Sequence, residues 1–219
     1  MQTFQELFTL YSWQEIKEKI YNTTVEDVRR SLRKEKRNLT DFLTFLSPAA
    51  ITEIEEMAQL TQQITQRRFG KTIQLYAPLY LSNECQNICT YCGFSMDNKI
   101  KRKTLSNTEL LLEAMALKSM GISHVLLVSG EANKTVEINY FKNAIALLKP
   151  HFAQISIEVQ PLLLEEYRIL QEEGVNTVLV YQETYHQEVY KTYHPKGKKS
   201  NFEYRLDDMF YKQIGRAHV

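Results

Sequence analysis

No stretch of this sequence approaches the roughly 20 consecutive apolar residues that a membrane span requires. The longest runs, such as Val125 to Val128 with its neighbours, fall far short of that. The opening MQTFQELFTLYSW is interrupted by a charge and by polar residues before an apolar core can form, so it does not read as a signal peptide. Charge of one sign is also lacking. Lys plus Arg number 27 against 26 for Asp plus Glu, which leaves no electrostatic excess to recruit nucleic acid or an anionic membrane. Cysteine is scarce, and its three copies, Cys85, Cys89 and Cys92, fall within one short segment. A secreted disulfide scaffold spreads an even number along the chain, so these read instead as a reduced ligand cluster. Internal repeats and low-complexity segments are absent. What is present, 43% apolar residues in a chain of 219, suffices for one substantial core of a globular protein. The expected location is the cytoplasm.

Residues 1–70 carry apolar positions at helical spacing: Leu7, Leu10 and Tyr11, then Ile16 and Ile20, then Val25, Val28 and Leu32. Thr40-Asp41 before Phe42 and Ser47-Pro48 before Ala49 look like helix starts, with Pro48 suited to a first turn. The segment is expected to be a helical extension with structural work only. From Thr72 the texture changes to strands alternating with amphipathic helices, which predicts parallel βαβ units. The first strand is read at 73–81, followed by a helix at 107–120 with Ser106 as N-cap and Gly121 past its end. The second strand is HVLLVSG with a helix around INYFKNAIALLKPHF. The third is QISIEVQ with the helix LLEEYRILQEEG, and the fourth is NTVLVYQ. A polar stretch, ETYHQEVYKTYHPKGKKS, then leads to a last helix from about Asn201. The fold class is therefore α/β, a partial (βα)8 barrel of the TIM type with about four βα units, preceded by the helical segment. A complete barrel with such an extension needs more than about 300 residues, so 71–213 is expected to hold its first half. Residues 214–219 match one reading frame of a common sequencing adapter and are expected to be a non-native tail.

In a parallel barrel, chemistry sits on the loops at the carboxyl ends of the strands. Strand one leads into NECQNICTYCGF, giving Cys85-x3-Cys89-x2-Cys92. A cubane cluster has four irons, so three thiolates from one loop leave one iron open to chelate a substrate or cofactor. Soft thiolates favour iron over harder metals, and the chain has no fourth cysteine. Three duller readings stand beside this one. A structural zinc site needs four ligands, and the nearest histidines, His124 and His151, are remote in sequence. Cysteines packed as small apolar residues do not suit the surrounding Asn83, Glu84, Gln86, Asn87 and Gly93. A Cys-x2-Cys redox pair would leave Cys85 unexplained. Strand two leads into Ser129-Gly130-Glu131, strand three ends in Glu158-Val159-Gln160, and strand four in Gln182-Glu183-Thr184-Tyr185. Glu158, Gln160, Gln182 and Glu183 project from strand ends and are expected to meet cofactor or substrate. Tyr181 and Tyr185 are expected to pack, His186 and His194 to lie on the surface, and Lys196 to Lys199 to form a solvated face.

The cysteine spacing with an aromatic before the third cysteine, directly after a first barrel strand, resembles the radical S-adenosylmethionine superfamily. That resemblance implies a [4Fe-4S] cluster on Cys85, Cys89 and Cys92, with S-adenosylmethionine on the open iron. It implies Tyr91 near the adenine and Ser129-Gly130-Glu131 on the methionyl amine, although a serine stands where many members carry a glycine. Blocks along nearly the whole chain, from LSPAA and QRRFG through FGKTIQLYAPLYLSNECQNICTYCGFSMDNKIKRKTL, HVLLVSGE and IEVQPL to VYQETYH and HPKGKKSNFEYRL, are similar to the 2-iminoacetate synthase family. These are the tyrosine lyases of thiamine biosynthesis. The tyrosine lyases of [FeFe]-hydrogenase maturation share the cluster and QETYH, but the run from CGFSM to IKRKTL and the SPAA segment favour the thiamine family.

The resemblance implies a reaction. An electron entering the cluster cleaves the sulfur–carbon bond of S-adenosylmethionine, and the released 5'-deoxyadenosyl radical abstracts hydrogen from the amino group of L-tyrosine. Scission of Cα–Cβ then gives dehydroglycine and 4-cresol. Implied partners are L-tyrosine, a thiazole synthase, and an electron donor such as flavodoxin or ferredoxin. With half the barrel, this chain alone is expected to be an inactive fragment.

Overall fold

The computed structural model describes residues 4–211, with side chains described to Leu206. The chain divides into two compact units, Glu6–Ile73 and the remainder from Gln74 onward, which also takes in the first five residues. Residues 214–219 lie outside the described range.

The first unit is all helix. Helix α1 (Phe4–Thr9) begins in the other unit, to which Phe4 and Gln5 belong, and after it come α2 (Trp13–Tyr21), α3 (Val25–Arg33), α4 (Leu39–Phe45), a 3-10 turn (Pro48–Glu53) and α5 (Ile54–Phe69). Helix starts are fixed by side chains that satisfy otherwise orphaned amides. Thr24 and Asp27 form a capping box on α3. On α4 the cap is Asn38 and not the Thr40-Asp41 pair expected from the sequence. Its Oδ1 accepts from the amides of Thr40 (3.0 Å) and Asp41 (3.2 Å), while the Asp41 carboxylate accepts from the Asn38 amide at 3.0 Å. An asparagine caps better than a threonine, and Asp41 is thereby drawn inside. It also accepts from Ser31 Oγ (2.8 Å) and Lys34 Nζ (2.5 Å). The hydrogen bond from Lys34, with the Asn38 amide and Ser31, holds its carboxyl down at about 2.

The second unit alternates strand and helix: β1 (Ala77–Ser82), α6 (Asn107–Ser119), β2 (His124–Ser129), α7 (Ile138–Leu148), β3 (Gln154–Glu158), α8 (Leu164–Glu173), β4 (Val175–Val178), α9 (Gln187–Tyr193), a 3-10 turn (Lys198–Ser200) and α10 (Phe202–Tyr211). The four strands pair in sequence order, β1-β2-β3-β4, and every pairing is parallel. Leu79 faces Leu127, Leu127 faces Ile157 and Ile157 faces Val178 across the sheet. These strands are rich in Val, Ile and Leu because a parallel sheet is covered by its crossover helices. Leu110 and Ala114 of α6, Phe141, Ala144, Ile145 and Leu148 of α7 and Leu170 of α8 join them in one apolar core. Helix α6 starts where expected, with Ser106 and Glu109 forming a capping box. Strand β1 starts later than expected, because Ile73, Leu75 and Tyr76 are exposed and pair with nothing in the sheet. The stretch after β4, read as merely polar, folds into α9 around a fully buried Tyr190.

Candidate active site

The loops at the carboxyl ends of the strands close around one cavity of about 420 Å³. All three cysteines line it, and all are free thiols. Cys89 is buried; Cys85 and Cys92 are partly exposed. Tight turns carry them: the Cys92 amide donates to Cys89 O (3.3 Å) and the Ser95 amide to Cys92 O (3.0 Å). Ser95 Oγ accepts from the Cys89 amide at 3.1 Å. Arg102 staples the loop from outside, its guanidinium donating to the carbonyls of Asn83 (2.7 Å), Phe94 (2.9 Å) and Ser95 (2.7 Å). Burial pushes the Cys89 thiol up, and the nearby Lys199 ammonium partly offsets this. Among the described residues no three His, Cys, Asp or Glu side chains converge on a single metal ion. In a cubane each thiolate takes a different iron, whereas a zinc site gathers its ligands on one ion.

The element after β2 forms the adjoining wall. Gly130 is glycine because the chain passes against the cysteine loop: a Cβ there would lie 2.2 Å from Glu84 O and 3.1 Å from Cys85 Cβ. The Gln86 amide donates to Glu131 O at 2.8 Å. One carboxylate oxygen of Glu131 accepts from Asn87 Nδ2 at 2.7 Å, and Arg205 approaches the same oxygen at 3.8 Å. The other oxygen is buried without a partner, as are Ser129 Oγ, Gln160 Oε1 and Arg205 Nε. All four of these residues line the cavity. Buried polar atoms left unpaired are costly and few in native proteins, so this concentration suits a bulky polar ligand.

The structure also brings Glu158, Gln160 and Glu183 to the cavity. Burial raises the Glu158 carboxyl. Burial would raise Glu183 too, but the hydrogen bond and charge of Lys199 outweigh it and the net shift is downward. Glu183 holds a positive φ of 68°, a conformation seldom seen outside glycine. Gln160 turns its amide nitrogen onto Val136 O at 2.8 Å. Gln182 is not among the lining residues; its Nε2 faces Phe202 O at 3.5 Å.

Several expectations need correction. His194 is not on the surface: it is 1% exposed, because α9 is drawn inward by Tyr190 and carries His194 with it. Lys199 does not belong to a solvated face. Its side chain is 14% exposed and its Nζ reaches Glu183 at 2.8 Å. His186 caps α9, accepting from the Val189 amide. Tyr181, expected to pack, is exposed on the cavity wall, while Tyr185 packs against Phe4 with ring centroids 6.3 Å apart. Asn87, Arg102 and Arg205 carry no local signal that marks them as site residues; only their partners, distant in sequence, reveal them.

Residues 79–208 match the model of the Radical SAM superfamily. The chain is 43% identical over all 219 residues to 2-iminoacetate synthase of Escherichia coli (strain K12), of which it covers 58%. It is 42% identical over the same span to 2-iminoacetate synthase of Salmonella typhimurium, again covering 58%. The chain thus spans somewhat over half the length of these curated relatives. Among solved structures it is similar to HydG, a maturase of the [FeFe]-hydrogenase, with a TM-score of 0.85 and 24% identity over 93% of this chain and 48% of that one. That likeness identifies the fold as α/β, part of a TIM-type barrel.

Proposed function

The chain belongs to the radical SAM superfamily, whose members use a [4Fe-4S] cluster and S-adenosylmethionine, and from that premise we propose that it is part of a 2-iminoacetate synthase. The reaction is cleavage of the Cα–Cβ bond of L-tyrosine to dehydroglycine and 4-cresol, as a step toward the thiazole of thiamine. The observation that carries this reading is the meeting of three free thiols with Ser129, Gly130 and Glu131 on one cavity, in a chain similar throughout its length to 2-iminoacetate synthases.

Cys85, Cys89 and Cys92 would hold three irons. When bound, the cluster and S-adenosylmethionine supply a carbon radical capable of taking hydrogen from the substrate amine. The protein's own task is orientation and exclusion of water. Glu131 has one oxygen fixed by Asn87 and one unpartnered, which suits it to receive an ammonium group. Tyr91, Glu158, Gln160 and Glu183 complete the proposed cofactor contacts, and Tyr80, Phe94, Val128 and Val180 give the cavity apolar walls. No helix among the described residues is long and apolar enough to cross a membrane; a cytoplasmic setting, a thiazole synthase partner and flavodoxin or ferredoxin as electron donor belong to the same proposal.

Anaerobic reconstitution of the complete protein with iron and sulfide tests it. The expected product is brown, holds about four irons per chain, and forms 4-cresol from tyrosine with S-adenosylmethionine and a reductant. Cys89→Ala should lose the iron; a variant with full iron content would remove the assignment. Residues 1–213 alone should form no 4-cresol.

A further inference from the structure

The cysteine loop is gripped by a segment more than a hundred positions further along the chain. The Ile88 amide donates to Lys196 O at 2.9 Å and the Thr90 amide to Tyr193 O at 3.0 Å. Asn87 Oδ1 accepts from the Lys199 amide at 2.9 Å. Gly197 closes the fit, since a Cβ there would fall 2.2 Å from Asn87 Oδ1. Within this strap lies His194, buried and packed on Tyr190 with ring centroids 4.1 Å apart. Its Nδ1 is 2.9 Å from Tyr190 O and its Nε2 is 2.7 Å from the Tyr91 hydroxyl. A carbonyl oxygen only accepts, so Nδ1 carries the proton. In the neutral ring Nε2 is then an acceptor, and Tyr91 donates to it. Burial lowers the pKa of His194 and favours that neutral form.

We propose that His194 is a positioning residue for the cofactor site, taking the Tyr91 hydroxyl so that the Tyr91 ring is fixed in the wall of the cysteine cavity. This rests on the cluster reading above. Tyr91 has 49% of its surface open and lines the cavity, so the ring needs external restraint. Tyr193 and His194 meet it edge-on at 6.2 and 5.5 Å, and Lys199 Nζ stands 5.6 Å from its centroid. These contacts steady the ring, and Glu183 and Cys89 also interact with the hydroxyl, but the 2.7 Å bond to the buried His194 ring holds it from the side away from the cavity's carboxylate. A freely turning Tyr91 would present S-adenosylmethionine with a variable surface, and binding would carry the cost of ordering it.

The test uses the complete, reconstituted protein, with S-adenosylmethionine as probe. Two quantities are read: its dissociation constant by anaerobic equilibrium dialysis, and the change it causes in the paramagnetic resonance spectrum of the reduced cluster. His194→Phe should keep its iron but bind the cofactor roughly tenfold more weakly, the loss of one buried hydrogen bond. His194→Gln places an amide oxygen near the Nε2 position and should stay within about threefold of the original protein. Tyr91→Phe deletes the same bond from the other side and should match His194→Phe, and the double variant should be no weaker than either single one. Lys191→Ala, on the exposed face of α9, serves as the unchanged control. If His194→Phe does not fold, Tyr91→Phe alone decides. Single variants that bind as the original does, or effects that add in the double variant, overturn the proposal. Retention of iron by Cys89→Ala would instead show that the cluster reading itself had failed.

Discussion

In the α/β unit, twenty buried apolar residues from Leu79 to Val175 form one continuous cluster. In Glu6–Ile73, by contrast, the buried apolar residues are Val28 and Ala50, and they are outnumbered by buried Ser31, Asp41, Thr44, Ser47 and Glu53. Apolar burial is proportional to area and nearly indifferent to direction, so the α/β unit is held by volume filled. The helical unit is held by particular pairs: Asp41 with Lys34, Ser31 and Asn38, and Glu53 with Arg29. Directional bonds of this kind contribute less each, and fail as soon as one partner changes charge.

The sharpest way to break the contrast is Phe141→Ala. Phe141 is completely buried, and truncation should cost roughly 3–5 kcal/mol, measured as a lower denaturation midpoint for the α/β unit with no change in the helical one. Gly130→Ala comes next. The added methyl would meet Glu84 O at 2.2 Å, and overpacking of this kind costs about 1–3 kcal/mol; iron content should fall too, because the atom displaced belongs to the cysteine loop. The helical unit should answer to acid instead. The Asp41 carboxyl is held at about 2, below its ordinary value, so its contribution is complete above about pH 4 and is lost as pH falls toward 2. Emission from Trp13, the chain's single tryptophan, should report a stability that declines across that window, and Asp41→Asn should flatten the decline. Smallest of all, Ile51→Ser and Leu112→Ser, at residues 71% and 66% exposed, should each shift the midpoint by less than about 0.5 kcal/mol. A larger loss at Ile51 would mean that the helical unit relies on apolar contact after all.

The strands and their helices were legible because their signals are local: runs of Val, Ile and Leu, a Ser106 cap, and glycines past the helix ends. The thiols were legible for the same reason, being packed into one short loop. Long-range pairings left no such mark. Nothing in ETYHQEVYKTYHPKGKKS announces that Tyr190 sits in the interior, that His194 follows it, or that Lys199 turns inward to Glu183. The apolar face of α9 is too short to give a period, and charged residues surround it. The Asn38 cap was missed for a subtler reason, since Thr40-Asp41 offers a competing cap two residues further on.

The strap across the cysteine loop also dictates an order of events during synthesis. Tyr91 and His194 are separated by 103 positions, and a ribosome adding some 5–20 residues each second needs roughly 5–20 s to cover that distance. Once the nascent thiols leave the exit tunnel, they wait a comparable time for the chain that will shelter them to be made and to emerge in its turn. Oxidants and stray metals therefore meet this loop at its most vulnerable before the polypeptide is finished, and slow codons between Tyr91 and His194 would lengthen the exposure.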